Sequence, residues 1–375
     1  MGKNRDLAFF SFITIIALIV RLLGRDIVVD DMSRFLIPWF ESIKAAGGLP
    51  ALQRQVGDYG LLYQTIIALF TYVDANPVYL YKSFSVIFDF LLALSIAYFV
   101  NSSETGTIFK GNSFCLSYAY VLLLPTVVMN SAFWGQSDSI YTFFLLWSVW
   151  FLYKESLSLS FFLLGCALAF KLQSILLFPL FVYAYFCRKK VSLLNFIITF
   201  LTFWFSGIVA YFYGRDIFDG IRVYFFQIGE YQRMWMNVPS FWVLVSNDYN
   251  KYHLIAVCLT FVILGIGLYL AVYFRKLMYS FEHIICFAVF TEWTCILFLP
   301  SMHERYTYVL DLLLLLLTFT NKRYLKYAFT AIFMSILTYN AYLFSGKEII
   351  SPQLVLVYLF AWIHYLYCLF LAPSK

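Results

Sequence analysis

The chain has 375 residues, of which 63% are hydrophobic, 22% aromatic and only 12% charged, with a net charge of +6. A water-soluble chain of this size carries about twice that charged fraction, so a mean hydropathy of +0.81 excludes a soluble enzyme, a nucleic-acid binder and a disordered protein. The apolar runs are far longer than the alternating segments of about ten residues that build an outer-membrane barrel. The chain therefore reads as an all-α, polytopic membrane protein.

The first apolar run, 7–24, follows Lys3 and Arg5 but has no small-residue cleavage site, so a retained first helix is expected. At about 20 apolar residues per crossing, further helices are expected at 78–100, 114–132, 139–153, 157–170, 172–187, 191–213, 253–274, 280–300, 306–320, 325–345 and 352–371, about twelve in all. Tyr59–Val73 (YGLLYQTIIALFTYV) is shorter and suits a re-entrant or interfacial helix. With the N-terminus inside, the dense basic clusters all fall in short cytoplasmic loops: Lys110, Lys154, Arg188-Lys189-Lys190, Arg275-Lys276, and Lys322, Arg323 and Lys326. Two long hydrophilic segments, 25–58 and 214–252, then lie outside. No linker or internal repeat separates soluble domains, so a single membrane domain is expected over 1–375. The seven cysteines form no CxxC or Cys/His ligand pattern and read as small core residues, without disulfides or zinc.

Charges in or beside apolar helices are costly, and so carry functional information. They are Asp30-Asp31, Asp89, Asp138, Lys171, Glu292, His303-Glu304-Arg305 and Asp311. The expected topology puts Asp30-Asp31 at the outer end of the first helix and Asp138 at the outer start of the fourth. Lys171 falls at the external turn between the fifth and sixth, and His303-Glu304-Arg305 at that between the ninth and tenth. Four clusters distant in sequence thus converge on one membrane face, which is the pattern of a site. Taken singly, each has a simpler reading: a solvated pair for Asp30-Asp31, a helix cap for Asp138, snorkelling for Lys171, and an interhelical hydrogen-bond cluster for 303–305. Asp89, Asp311 and the lone His253, His283 and His364 are expected to be structural.

A carboxylate on such a face can act as general base toward a hydroxyl, while Arg, Lys and His can hold a departing phosphate or pyrophosphate. The sequence contains no P-loop, GxSxG or HExxH to support nucleotide hydrolysis, serine hydrolysis or zinc proteolysis. An external transferase needs an activated donor held in the membrane, and a polyprenyl-phosphate sugar is such a donor.

The stretches DDMSRFLIPWFESIKAAGG (30–48), GDYGLLYQ (57–64), FWGQSDSIYTFFLL (133–146), ALAFKLQSILLFPLF (167–181), MNVPSFWVL (236–244) and MHERY (302–306) occur in order along most of the chain. In this combination the sequence resembles the GT-C-fold, polyprenyl-phosphate-sugar-dependent glycosyltransferases, and in particular the bacterial relatives of the second mannosyltransferase of GPI-anchor synthesis. The resemblance implies a conserved helical module over about 1–213 with the long external loop 25–58 carrying juxtamembrane helices. A variable module with the external loop 214–252 would follow over about 214–375. It implies an inverting transfer from the lipid-linked donor to a lipid-linked or polymeric glycan, outside a bacterial cytoplasmic membrane and without a metal or other cofactor.

By the same resemblance, Asp31 is the base, with Asp30 beside it as the other candidate, and Asp138 is a second carboxylate on the same cavity. Lys171, Gln173, His303, Glu304, Arg305 and Tyr306 fall on the elements that bind donor phosphate. Arg34, Tyr59, Trp134, Gln136 and Asn237 lie in the matching stretches that face substrate, and Trp39, Tyr231, Trp235 and Trp242 add aromatic faces suited to sugars. A lipid-linked oligosaccharide flippase or other transporter is the alternative from another class, resting on Asp89, Glu292 and Asp311 within the membrane. A polysaccharide polymerase or ligase is a third reading, which leaves the acidic pair after the first helix unexplained.

Overall fold

A computed structural model describes residues 2–103, 113–274 and 279–371. Lys110, Arg275 and Lys276 of the expected inner loops lie outside the described residues. The chain forms α1 (Gly2–Gly24), α2 (Ile37–Ala45), α3 (Leu61–Phe70), α4 (Pro77–Ser102), α5 (Ser113–Leu122), α6 (Pro125–Val128), α7 (Asp138–Tyr153), α8 (Leu157–Phe170) and α9 (Phe178–Cys187). It continues through α10 (Leu193–Phe205), α11 (Ile208–Phe212), α12 (Asp219–Glu230), α13 (Tyr249–Tyr273), α14 (Phe281–Phe298), α15 (Tyr308–Thr320), α16 (Leu325–Asn340) and α17 (Pro352–Leu366). Among the described residues the only strands are β1 (Trp235–Met236) and β2 (Met302–His303), paired in parallel with Trp235 opposite Met302 and Met236 opposite His303.

Among the described residues six helices are long and apolar enough to cross a membrane: Asn4–Gly24, Pro77–Ser102, Tyr249–Tyr273, Phe281–Phe298, Lys322–Ser345 and Pro352–Leu371. A pair bent by 50°, Ser113–Leu122 with Pro125–Trp134, makes a seventh if it is one span. Length and apolarity thus qualify six or seven of the roughly twelve segments expected from sequence. Prolines and glycines explain several of the breaks. Leu124, ahead of Pro125, is extended and interrupts the helix expected over 114–132. The helix expected over 172–187 is a 3₁₀ turn, Leu172–Leu177, followed by α9 with Pro179 in its first turn. That expected over 191–213 divides at Gly207 into α10 and α11.

The contacts group the chain into two compact units. The first comprises Met1–Ser95, Tyr118–Ile175 and Leu193–Glu230, and the second Ile96–Ser117, Leu176–Ser192 and Tyr231–Lys375. In the first unit α7 and α8 are joined by reciprocal bonds: Ser148 Oγ donates to the Ser160 carbonyl at 2.7 Å, and Ser160 Oγ to the Ser148 carbonyl at 2.8 Å. Helix α1 leaves Phe12, Ile15, Ile19 and Leu22 bare, an apolar surface that a bilayer covers and water does not. The packed face of α1 carries a buried charge. Arg21 donates from Nε to Asp89 of α4 at 2.9 Å, and its Nη1 reaches the carbonyls of Ala17 and Leu122. Asp89 is structural, as expected, and Arg21 is the partner that the sequence reading did not single out.

In the second unit α14 is buried nearly all round and packs on α9, α13, α15 and α17. A helix apolar on every side belongs in such a core position. Arg188, expected in a solvated basic loop, is instead buried with its guanidinium 5.9 Å from the centre of the Tyr279 ring, while Lys189 and Lys190 are exposed. Gly267 lets α13 approach α14, since a Cβ there would lie 2.3 Å from the Phe290 ring. Gly267→Ala is therefore expected to destabilise the protein by about 1–3 kcal/mol, the usual penalty for overpacking. Differential scanning fluorimetry should show the lowered midpoint, and adding Phe290→Leu should recover part of it.

Candidate functional site

The site in the first unit is assembled around the exit of α1. Lys82 of α4 is buried, and its ammonium donates to the carbonyls of Gly24 at 2.7 Å and Ile27 at 2.6 Å. A cation on the last carbonyls of a helix satisfies groups that have no partner within the helix. The chain is thereby pinned just before Asp30 and Asp31. Alongside, Asp26 accepts from the Tyr79 hydroxyl at 2.6 Å, which is the main influence holding its carboxyl below the usual carboxylate range.

Asp31 precedes a π-helical turn, Met32–Leu36, whose Met32 and Leu36 are buried. Its Oδ2 accepts from Trp134 Nε1 at 2.9 Å and from Gln136 Nε2 at 3.0 Å. Trp134 and Gln136 are buried, whereas Asp31 keeps partial exposure. The carboxylate is thus oriented by two neutral donors and still reachable. Asp30 differs: it is exposed and forms an equally exposed pair with Arg34 at 3.1 Å. Arg34, expected at substrate, is placed in that pair.

The Trp-Gly-Gln turn can reach Asp31 because of Gly135. Its φ of +79° ends the π turn Met129–Trp134 in the left-handed conformation, with Gly135 N bonded to the Ser131 carbonyl and Gln136 N to that of Asn130. A Cβ at this position would also lie 2.3 Å from Met32 Cε. Tyr59 borders the same place, its hydroxyl 3.4 Å from Gln136 Oε1 and its ring edge-on to Trp39 at 5.4 Å. Trp39 in turn covers Gly57, where φ is +74° and a Cβ would strike the indole at 2.4 Å.

Two residues beyond Gln136, Asp138 opens α7 and is buried. It accepts from Lys171 Nζ at 2.5 Å and from Asn130 Nδ2 at 2.7 Å. Lys171 is only 5% exposed and sits in the extended break after α8. It does not snorkel. Its charge is compensated inside the protein, so the phosphate-binding role expected for it has a structural competitor. Gln173 is half-buried in the 3₁₀ turn that follows.

The remaining expected residues belong to the second unit. The β1–β2 bridge fixes the loop before His303, and Ser301, at φ +60°, donates from Oγ to the Tyr231 carbonyl at 2.6 Å. The His303 ring stands at 89° to Tyr231, with centroids 4.8 Å apart, and 5.3 Å from that of Tyr306. Glu304 and Tyr306 are buried, and Arg305 is half-buried with its carbonyl accepting from the Tyr339 hydroxyl at 3.3 Å. Asp311, buried in α15, lies 3.0 Å from Ser335 Oγ. Asn237, expected at substrate, ties down its own loop. It is buried at φ +48°, its Nδ2 donating to the Thr338 carbonyl at 3.2 Å and its Oδ1 accepting from Ile349 N at 3.0 Å. Both ends of the amide tie the loop down.

The chain matches no family model and no curated protein. Lys82, Asn130 and Arg21 are the residues that sequence reasoning passed over. Lys82 and Arg21 had a signal, a single basic residue within an apolar run, and only Asn130 had none.

Removing one partner of a buried ion pair leaves the other charge desolvated and unpaired, at a cost of about 3–5 kcal/mol. Lys171→Met is therefore expected to lower the thermal midpoint sharply, and Lys171→Met/Asp138→Asn to regain most of it. A midpoint unchanged in Lys171→Met would show that Asp138 does not depend on this lysine.

Proposed function

We propose that the protein is an inverting glycosyltransferase of the GT-C type, taking a sugar from a polyprenyl-phosphate donor with Asp31 as general base. The observation that carries this reading is the setting of Asp31, whose carboxylate is aimed by Trp134 and Gln136 and remains partly exposed. Asp31 would take the proton of an acceptor hydroxyl as that oxygen attacks the anomeric carbon. The bond from that carbon to the phosphate oxygen breaks with inversion, and the electron pair leaves on the lipid phosphate. A guanidinium can grip such a phosphate through two parallel bonds, a role that the resemblance gives to Arg305. Asp138 and Lys171 are assigned to holding the turn that carries Gln136. The roughly twelve crossings, an external site in a bacterial cytoplasmic membrane, and a lipid-linked or polymeric glycan acceptor belong to the same proposal. No metal or cofactor is assigned, following the resemblance.

One observation favours the transporter reading. Glu292 is buried in α14, and its Oε2 has no hydrogen-bond partner among the described residues. Intramembrane carboxyls of this kind are found in proton and ion pathways.

Purified protein incubated with a panel of polyprenyl-phosphate sugars should consume one of them and release the lipid phosphate. Asp31→Asn should lower that turnover by about 10²- to 10⁴-fold with donor affinity nearly unchanged, the contribution of a positioned base. Asp30→Asn, altering an exposed pair, should be close to wild type. Donor consumption unaffected in Asp31→Asn would remove this carboxylate from the chemistry. Separately, Arg305→Ala should weaken donor binding more than Lys171→Gln does, measured by titration with a short-chain prenyl-phosphate sugar.

A further inference from the structure

Helix α12 (DGIRVYFFQIGE) has one face built into the first unit. Gly220, Val223 and Tyr224 are buried, and the Tyr224 ring packs 5.3 Å from that of Phe203 on α10. The Tyr224 hydroxyl donates to the Leu168 carbonyl, and the Gln227 amide to the Asp58 carbonyl. These acceptors lie close to the candidate site along the chain: Leu168 is three residues before Lys171, and Asp58 immediately precedes Tyr59. The three segments meet at Gly60, where a Cβ would fall 2.9 Å from Tyr224 Oη and 3.0 Å from the Ala169 carbonyl oxygen.

The other faces of α12 are of two kinds. Toward its start, Arg222 pairs with Asp216 at 3.1 Å and Asp219 at 2.9 Å, and Arg215 reaches Asp219 at 2.6 Å. Further along, Phe225 and Phe226 are 71% and 77% exposed, with Ile228 also bare and Phe218 exposed just before the helix. The approach to α12 continues an apolar surface. Trp204 Nε1, near the end of α10, donates to the Ile217 carbonyl at 2.9 Å, and α10 itself exposes Leu194, Ile197, Phe200, Leu201 and Phe205. A helix with an apolar exposed face thus leads, through the short α11, to one that mixes bare phenylalanines with paired charges. That mixture suits the boundary between acyl chains and head groups, and neither the bilayer centre nor bulk water.

We infer that α12 is an interfacial helix, with Phe225 and Phe226 seated in phospholipid at the head-group boundary. Through Tyr224 and Gln227 it clamps the two backbone segments that lead to Lys171 and Tyr59. The partner is the bilayer itself, reached by continuity with the apolar face of α10.

The test uses Phe226→Trp in nanodiscs of phosphatidylcholine, with or without bromine on the acyl chains. Its extra emission over the parent protein should fall roughly two-fold with bromine at carbons 6 and 7, and less with bromine at 11 and 12, as shallow insertion requires. No quenching by either lipid would mean that water or another protein covers the residue, and stronger quenching at 11 and 12 would mean a deeper helix. Either result overturns the interfacial placement. The clamp has its own readout. Phe225→Asp/Phe226→Asp replaces side chains that are mostly exposed, yet in nanodiscs it should speed amide exchange over 55–60 on the order of tenfold. Unchanged exchange there would overturn the clamp, and if this variant fails to fold, Gln227→Ala gives the same reading with the lipid face intact.

Discussion

The structure around the candidate site depends on one acceptor, Asp31 Oδ2, shared between the Trp134 indole and the Gln136 amide. The indole and the amide together aim the carboxylate. The rest of the first unit makes this arrangement rigid. Gly135 turns the donors toward Asp31, Lys82 fixes the chain leading to it, and the Tyr59 hydroxyl reaches Gln136.

Buried ion pairs supply the frame. Arg21–Asp89 joins α1 to α4, and Lys171–Asp138 ties the break after α8 to the start of α7. Such pairs contribute little net stability, because desolvation offsets attraction, but a broken pair is severely penalised. Their effect is to disfavour other registers of apolar helices, which could otherwise slide against one another at small cost. Asn130 and Ser131 connect the two frames: adjacent in one turn, they bond to Asp138 and Asp89 respectively. The turn bearing Trp134 and Gln136 is thus held at both ends by charge.

The helices were largely legible because apolar runs ended at polar or breaking residues, as at 157–170 and in the short helix over Leu61–Phe70. The broken ones were less so, although Pro125, Pro179 and Gly207 were visible signals that the length criterion overrode. The distinction between Asp30 and Asp31 was not legible, since it rests on donors more than one hundred residues away, as with Trp134. The Lys171–Asp138 pair is hidden for another reason, each residue having a plausible solitary role at its own helix end. Asn237 is expected at substrate from its matching stretch alone, and its left-handed backbone and the loop-tying bonds of its buried amide are not legible there. Lys82 was readable as a charge in an apolar helix and was passed over.

The central claim is that Trp134 and Gln136 act on the proposed chemistry through Asp31. A double-mutant cycle on sugar transfer tests this most directly, comparing Trp134→Phe/Gln136→Met in the parent with the same pair in an Asp31→Asn background. If the donors work by orienting the base, their removal should slow transfer in the parent and have almost no further effect once Asp31 cannot accept a proton. Equal losses in both backgrounds would contradict the account, because the tryptophan and glutamine would then serve the reaction independently of Asp31.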